Sequence, residues 1–124
     1  MNTSGIIKGG LAAGLLINVS EFVLNTLVVP VPEGEAGSLV FWVVYAFLLG
    51  LLVAYVSALT RARWSAGAKT GIYAGIIVWL LHSLLPAAGM SNMGLMDLSL
   101  VGLGWTLVEM SVAGVLAGRL YREA

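Results

Sequence analysis

The chain has no cysteine, which excludes disulfides and thiolate metal sites and leaves the redox compartment open. It carries one histidine, so two imidazoles on one haem are out of reach within a single chain. Charge is also scarce: 10% of residues are Asp, Glu, Lys or Arg, against about 25% in a soluble domain. With 60% hydrophobic residues and a mean hydropathy of +1.00, there is no polar coat to face water, and the expected solvent is lipid. No phosphate-cradling loop, zinc-protease pattern or nucleophile signature is present. No catalytic residues are therefore expected, and the chain does not read as an enzyme. Nucleic acid is not an expected partner either, because the six basic residues are spread along one membrane edge.

What is present is a set of long apolar runs. Residues 1–124 read as one integral membrane domain. A spanning helix needs about 20 mostly apolar residues, and four segments qualify: roughly Ile6–Val29, Leu39–Thr60, Ala68–Ala88 and Leu98–Leu120. Pro30–Ser38, Arg61–Gly67 and Gly89–Asp97 separate them with the Gly, Pro, Ser and Asn clusters that end helices. The first run resembles a signal peptide in having a lysine before an apolar stretch. It is too long, contains Glu21 and lacks a small-residue cleavage site, so a retained helix is expected.

The basic residues fall on one side. Lys8 opens the first span, Arg61, Arg63 and Lys69 surround the middle loop, and Arg119 and Arg122 close the chain, whereas Glu33, Glu35 and Asp97 lie opposite. The positive-inside rule then predicts cytoplasmic N- and C-termini. Trp64, Tyr73 and Tyr121 are expected as anchors at the cytoplasmic interface, with Trp42 at the outer one.

Two stretches align at an offset of 61 residues, KGGLAAGLLINVSEFVL from Lys8 and KTGIYAGIIVWLLHSLL from Lys69. The offset pairs Gly10 with Gly71, Gly14 with Gly75 and Glu21 with His82. GLLVAYVS from Gly50 and GVLAGRLY from Gly114 match more loosely. The expected fold is all-α: four transmembrane helices in a bundle made of two tandem helical hairpins about an axis along the membrane normal. At 100° per residue, Gly10, Gly14, Asn18, Glu21 and Asn25 share one arc of about 80° on the first helix. Gly71, Gly75, Trp79, His82 and Pro86 share the equivalent arc on the third. Each arc opens on a GxxxG pair, which lets helix backbones approach closely. On the fourth span, Glu109 shares a face with Gly102, Trp105 and Ala113. Ser111, Gly104, Gly114 and Gly118 lie on the other face, suited to a neighbouring helix or another chain.

The puzzle is the polar set Asn18, Glu21, Asn25, His82 and Glu109, expected to converge in the bundle. A mid-membrane carboxylate costs at least about 2.5 kcal/mol. It is tolerated if protonated, if paired with an imidazolium or if it lines a wet cavity. Three roles follow. The leading expectation is polar glue in a non-catalytic structural or accessory subunit, with other membrane subunits or further copies of the chain as partners. The alternative is a small channel or carrier for protons, ions or a small solute using Glu21, His82 and Glu109. The third is a haem, a chlorophyll-type pigment or a metal held through His82. No cofactor is expected in the leading reading, because the Glu-x-x-His motif of di-iron bundles is missing. The serines Ser20, Ser57, Ser83 and Ser111 are expected to bond within their own helices. Met90, Met93 and Met96 in the outer loop would suit Cu(I), but apolar packing at the interface is the simpler expectation.

Gly9–Asn25, Lys69–Gly75 and Trp105–Glu123, with the Asn-x-x-Glu-Phe of the first helix, the Lys-Thr after the middle loop and the Glu of the fourth, resemble a family of small uncharacterised bacterial membrane proteins. The resemblance implies a four-helix, multi-pass protein of the bacterial inner membrane. It carries no established activity or site residues.

Overall fold

The computed structural model describes residues 1–121. Arg122 of the basic edge, and Glu123 at the end of the resembling C-terminal segment, lie outside the described residues. Among the described residues all regular structure is helical. α1 (Thr3–Val23) runs on into a π-helical turn, Leu24–Val28. α2 covers Leu39–Trp64. α3 (Ala68–Trp79) passes through a second π turn, Leu80–Leu84, into α4 (Leu85–Asn92). α5 covers Leu100–Leu120. Four helical stretches, Thr3–Val28, Leu39–Trp64, Ala68–Asn92 and Leu100–Leu120, are long and apolar enough to cross a membrane.

The bounds differ from the sequence expectation where polar residues extend a helix past its apolar run. Arg61–Trp64 continue α2 rather than forming a loop, which leaves a tight turn at Ser65–Gly67 with φ of 88° at Ser65 and 90° at Gly67. Helix also persists to Asn92 within the expected outer loop. Two starts follow capping chemistry. The Ser38 hydroxyl accepts from Phe41 N at 3.3 Å, and that of Ser99 from Gly102 N at 3.0 Å, each satisfying an otherwise unpartnered first-turn amide.

Around the bundle the order is α2, α1, α5, α3. α1 packs chiefly on α2 and then on α5, α3 packs chiefly on α5, and α2 closes the ring against α3. α2 and α5 also touch across the short diagonal, which leaves α1 and α3 on the long one. The core is built largely from small side chains, with Ala13, Ile17, Ala46, Val53, Ala54, Ala74, Val78, Met110, Ala113 and Ala117 buried together. Small residues let helices approach where lipid offers no hydrophobic drive between them, so packing has to hold the bundle.

Glycine makes the closest approaches. A methyl group on Gly50 of α2 would collide with the backbone of Gly10 and Gly14 in α1, and one on Gly114 of α5 with the backbone of Gly71 and Gly75 in α3. Gly118 sits on Gly67 and Gly71. The Gly114/Gly118 face of the fourth span is thus occupied by α3 of the same chain. The other α5 face meets α1, where Ala117 lies against Gly9.

At the end where Lys8, Arg61, Arg63, Lys69 and Arg119 gather, Tyr121 ties three elements together. The residue is 2% exposed, its hydroxyl accepts from Asn2 N at 2.8 Å, and its carbonyl accepts from Arg61 at 3.3 Å. The Arg61 guanidinium lies 5.2 Å from the ring centroid. Tyr121 is therefore a buried tie at this end of the bundle. Trp64 and Tyr73 pack edge to face at 5.1 Å.

Candidate functional site

The polar side chains form a line across the bundle instead of one cluster. Glu109, near the middle of α5, is the most deeply placed of them at 5% exposure. The Glu21 carboxyl and the Ser20 hydroxyl, both on α1, lie beside its carboxyl. Glu21 Oε2 accepts from Asn25 Nδ2 at 3.2 Å, one turn further along. Ser20 accepts from the indole N–H of Trp105 at 2.9 Å. Ser20 therefore bonds between helices, contrary to expectation, whereas Ser111 stays within its own helix and donates to Leu107 O at 2.8 Å. Among the described residues this arrangement leaves Glu109 Oε1 buried with no hydrogen bond.

His82 belongs to the other end of the line. Its Nδ1 shares a 2.7 Å hydrogen bond with the hydroxyl of Tyr45 on α2, and the two rings are 5.2 Å apart. Tyr45 in turn packs with Phe41 and Trp42, and the Trp42 indole donates to Ala36 O in the loop between α1 and α2. Glu21 is near enough to His82 for their charges to interact. Their hydrogen bonds, however, go elsewhere: Glu21 turns to Asn25 and Glu109, His82 to Tyr45. The expected acid–imidazole pair is thus replaced by an acid–acid pair and a phenol–imidazole pair. The cause is architectural, since the first and third spans sit across the long diagonal. The π turn at Leu80–Leu84 contributes too. Trp79, just before it, donates to Leu103 O and Thr106 on α5, while His82, inside it, faces α2. An inserted π residue sets back the side chains that follow around the helix axis.

Asn18 also departs from the expected cluster. Its amide donates to Gly14 O at 3.0 Å and to Val43 O of α2 at 3.4 Å, so it stitches α1 to α2. Asn25 is exposed, and Pro86 of the third arc is exposed on α4. Among the described residues no three His, Asp or Glu side chains converge closely enough to cage a metal.

Beside Glu109 the space between α1 and α5 opens into a groove of about 880 Å³. Its walls are aliphatic, including Leu15, Val19 and Val23 from α1 with Val101, Val108 and Val112 from α5, and its polar edge is Ser20, Trp105 and Glu109. Residues Tyr45, Ser20 and Trp105 were not singled out from sequence as members of a polar site. Trp105, one helical turn before Glu109, shares its face and was the one legible signal; nothing in the sequence relates Tyr45 to His82, 37 residues away.

Chemically, two adjacent carboxyls in a low-dielectric setting hold a proton between them more readily than two negative charges. A proton held between the two carboxyls would give the Glu109 carboxyl the partner that its Oε1 lacks. Comparisons with protein-family models, with characterised proteins and with solved structures find no match to this chain.

Proposed function

We propose that this protein is a small proton-linked channel or carrier of the bacterial inner membrane, with Glu21 and Glu109 as the proton-exchanging pair and His82 with Tyr45 as the next station. The observation that carries this reading is the buried, donor-less Oε1 of Glu109 beside a second carboxyl. Polar glue works by satisfying its members, and an orphaned oxygen in a nonpolar bundle is costly unless something transient occupies it. Both termini are taken to be cytoplasmic, which the gathering of Lys8, Arg61, Arg63, Lys69 and Arg119 at one end supports. The equivalent nesting of Gly50 between Gly10 and Gly14, and of Gly114 against Gly71 and Gly75, supports an ancestral duplication of one helical hairpin.

The test is proton flux. In proteoliposomes with the membrane potential clamped and a pH step imposed, the wild type is expected to equilibrate faster than empty vesicles. Glu21→Gln and Glu109→Gln are expected to abolish that excess. Wild-type flux equal to that of empty vesicles, or flux indifferent to both substitutions, overturns the reading.

A second reading, the accessory subunit, is favoured by the length of the groove. Val101 to Leu116 of α5 line it, about 22 Å at the α-helical rise, enough to seat a helix of another membrane chain or of a second copy. It requires a stable complex in mild detergent and no Glu-dependent flux.

A further inference from the structure

The groove between α1 and α5 unites three properties: a volume of about 880 Å³, walls that are almost wholly aliphatic, and a single acidic point. The volume lies within the roughly 300–1,000 Å³ of sites that hold a drug-sized molecule. A lipid tail would suit the aliphatic walls but has no use for Glu109. A hydrated inorganic ion would suit the carboxyl, but it would have to enter past valines and leucines. An apolar molecule with one positive charge suits both. We infer that this groove binds apolar organic monocations, such as lipophilic amines or quaternary onium ions, that enter sideways from the bilayer with their charge against Glu109.

Three further features agree. Glu109 lines the groove, and among the described residues no donor satisfies its buried Oε1, so its carboxyl keeps acceptor capacity that a cation reaching it from the groove would use. No Lys or Arg lies along the groove-lining stretches of α1 or α5, so no internal cation competes. Trp105 lines the groove beside the acid, and its N–H is engaged by Ser20. That hydrogen bond fixes an aromatic ring where a cation would gain from it.

The inference rests on reading Glu21 and Glu109 as a pair that exchanges a proton, and it names what replaces that proton. The ionisable group facing Glu109 is Glu21 from α1, while His82 from the third span and Tyr45 from α2 reach the pair only through Glu21. A cation and a proton would then compete for one place, so binding is expected to weaken as the pH falls.

The experiment uses the purified full chain in detergent and two probes of the same size and opposite charge, tetraphenylphosphonium and tetraphenylborate, with binding followed by calorimetry and by indole fluorescence. Tetraphenylphosphonium is expected to bind and tetraphenylborate not. Glu109→Gln should weaken the phosphonium at least tenfold at pH 8 and flatten its pH dependence. Val108→Trp, which fills the groove without touching the acid pair, should also abolish binding. Circular dichroism and gel-filtration profiles matching the wild type would show that both variants fold. Absence of phosphonium binding, equal binding of both probes, or binding unaffected by either substitution would overturn the inference, equal binding marking the groove as a seat for lipid tails. Binding that obeys these expectations without proton flux would remove the proton-linked function and keep the site. Glu-dependent flux without phosphonium binding would do the reverse.

Discussion

Ser20 illustrates how a side chain with an ordinary local option takes a distant one. A serine in an apolar helix usually bonds the carbonyl one turn back, as Ser111 does. Ser20 accepts from Trp105 of α5 because α1 and α5 approach closely there, and an indole N–H in a dry interface needs an acceptor. Ser20→Ala is expected to strand that donor and destabilise the protein by about 1–2 kcal/mol, the usual cost of a buried group left unmade. Denaturant or thermal unfolding in detergent would measure it. The cost should shrink in a Trp105→Phe background, since the cycle then removes both partners. A Ser20→Ala effect of the same size in both backgrounds would show that the hydrogen bond contributes nothing. The residue scale is also where the sequence is hardest to read. Glu109 and Glu21 stand out as carboxyls in apolar runs, but no spacing rule relates positions on helices so far apart in the chain. Their meeting depends on how four helices are ordered around an axis.

At the scale of the element, the apolar spans were legible because length and composition alone specify a membrane helix. The GxxxG pairs were legible because small residues recur at helical spacing, and Gly10, Gly14, Gly71, Gly75, Gly114 and Gly118 all lie in interhelical contacts. The two π turns were not legible, and they defeat the helical-wheel argument. An arc drawn at 100° per residue holds from Gly71 to Trp79 but loses His82, which lies within Leu80–Leu84. Pro86 follows two residues after Leu84 and has no N–H to offer the carbonyl of His82, which gives the wider turn a local cause. For the glycines the outcome is specific to position. In Gly71→Ala the new methyl would overlap the carbonyl of Gly114, a backbone atom that can move only if the helices part, whereas one at Gly104 meets nothing within 4 Å. Gly71→Ala is expected to cost about 1–3 kcal/mol, as overpacking does, and Gly104→Ala to be neutral or slightly stabilising through helix propensity. Unfolding midpoints of the two variants measured side by side would check this. Equal effects would mean that α3 and α5 are not held at glycine contact.

For the whole molecule, the decisive asymmetry is one of charge. Lys8, Arg61, Arg63, Lys69 and Arg119 collect at the end stitched by Tyr121, while Glu33, Glu35 and Asp97 belong to the other end. Basic residues near helix ends resist translocation, acidic ones scarcely affect it, and short loops feel the rule most strongly. The Ser65–Gly67 turn is a three-residue connection, and it carries arginines just before it and a lysine just after. A single orientation is therefore expected, with that turn inside the cell. Because the chain has no cysteine, one introduced thiol reports its own side of the membrane. Glu33→Cys should react with a membrane-impermeant maleimide in intact cells. Ala66→Cys should react only after permeabilisation, and replacing Arg61 and Arg63 by Gln should make some copies of Ala66→Cys reactive from outside. Labelling of Ala66→Cys alone in intact cells would invert the topology, and labelling of both in the otherwise wild-type chain would mean two orientations coexist. The second outcome would also change the reading of the groove between α1 and α5, because an inverted neighbour could then lay its own α1–α5 face against it and bring a second Glu109 to the same cleft.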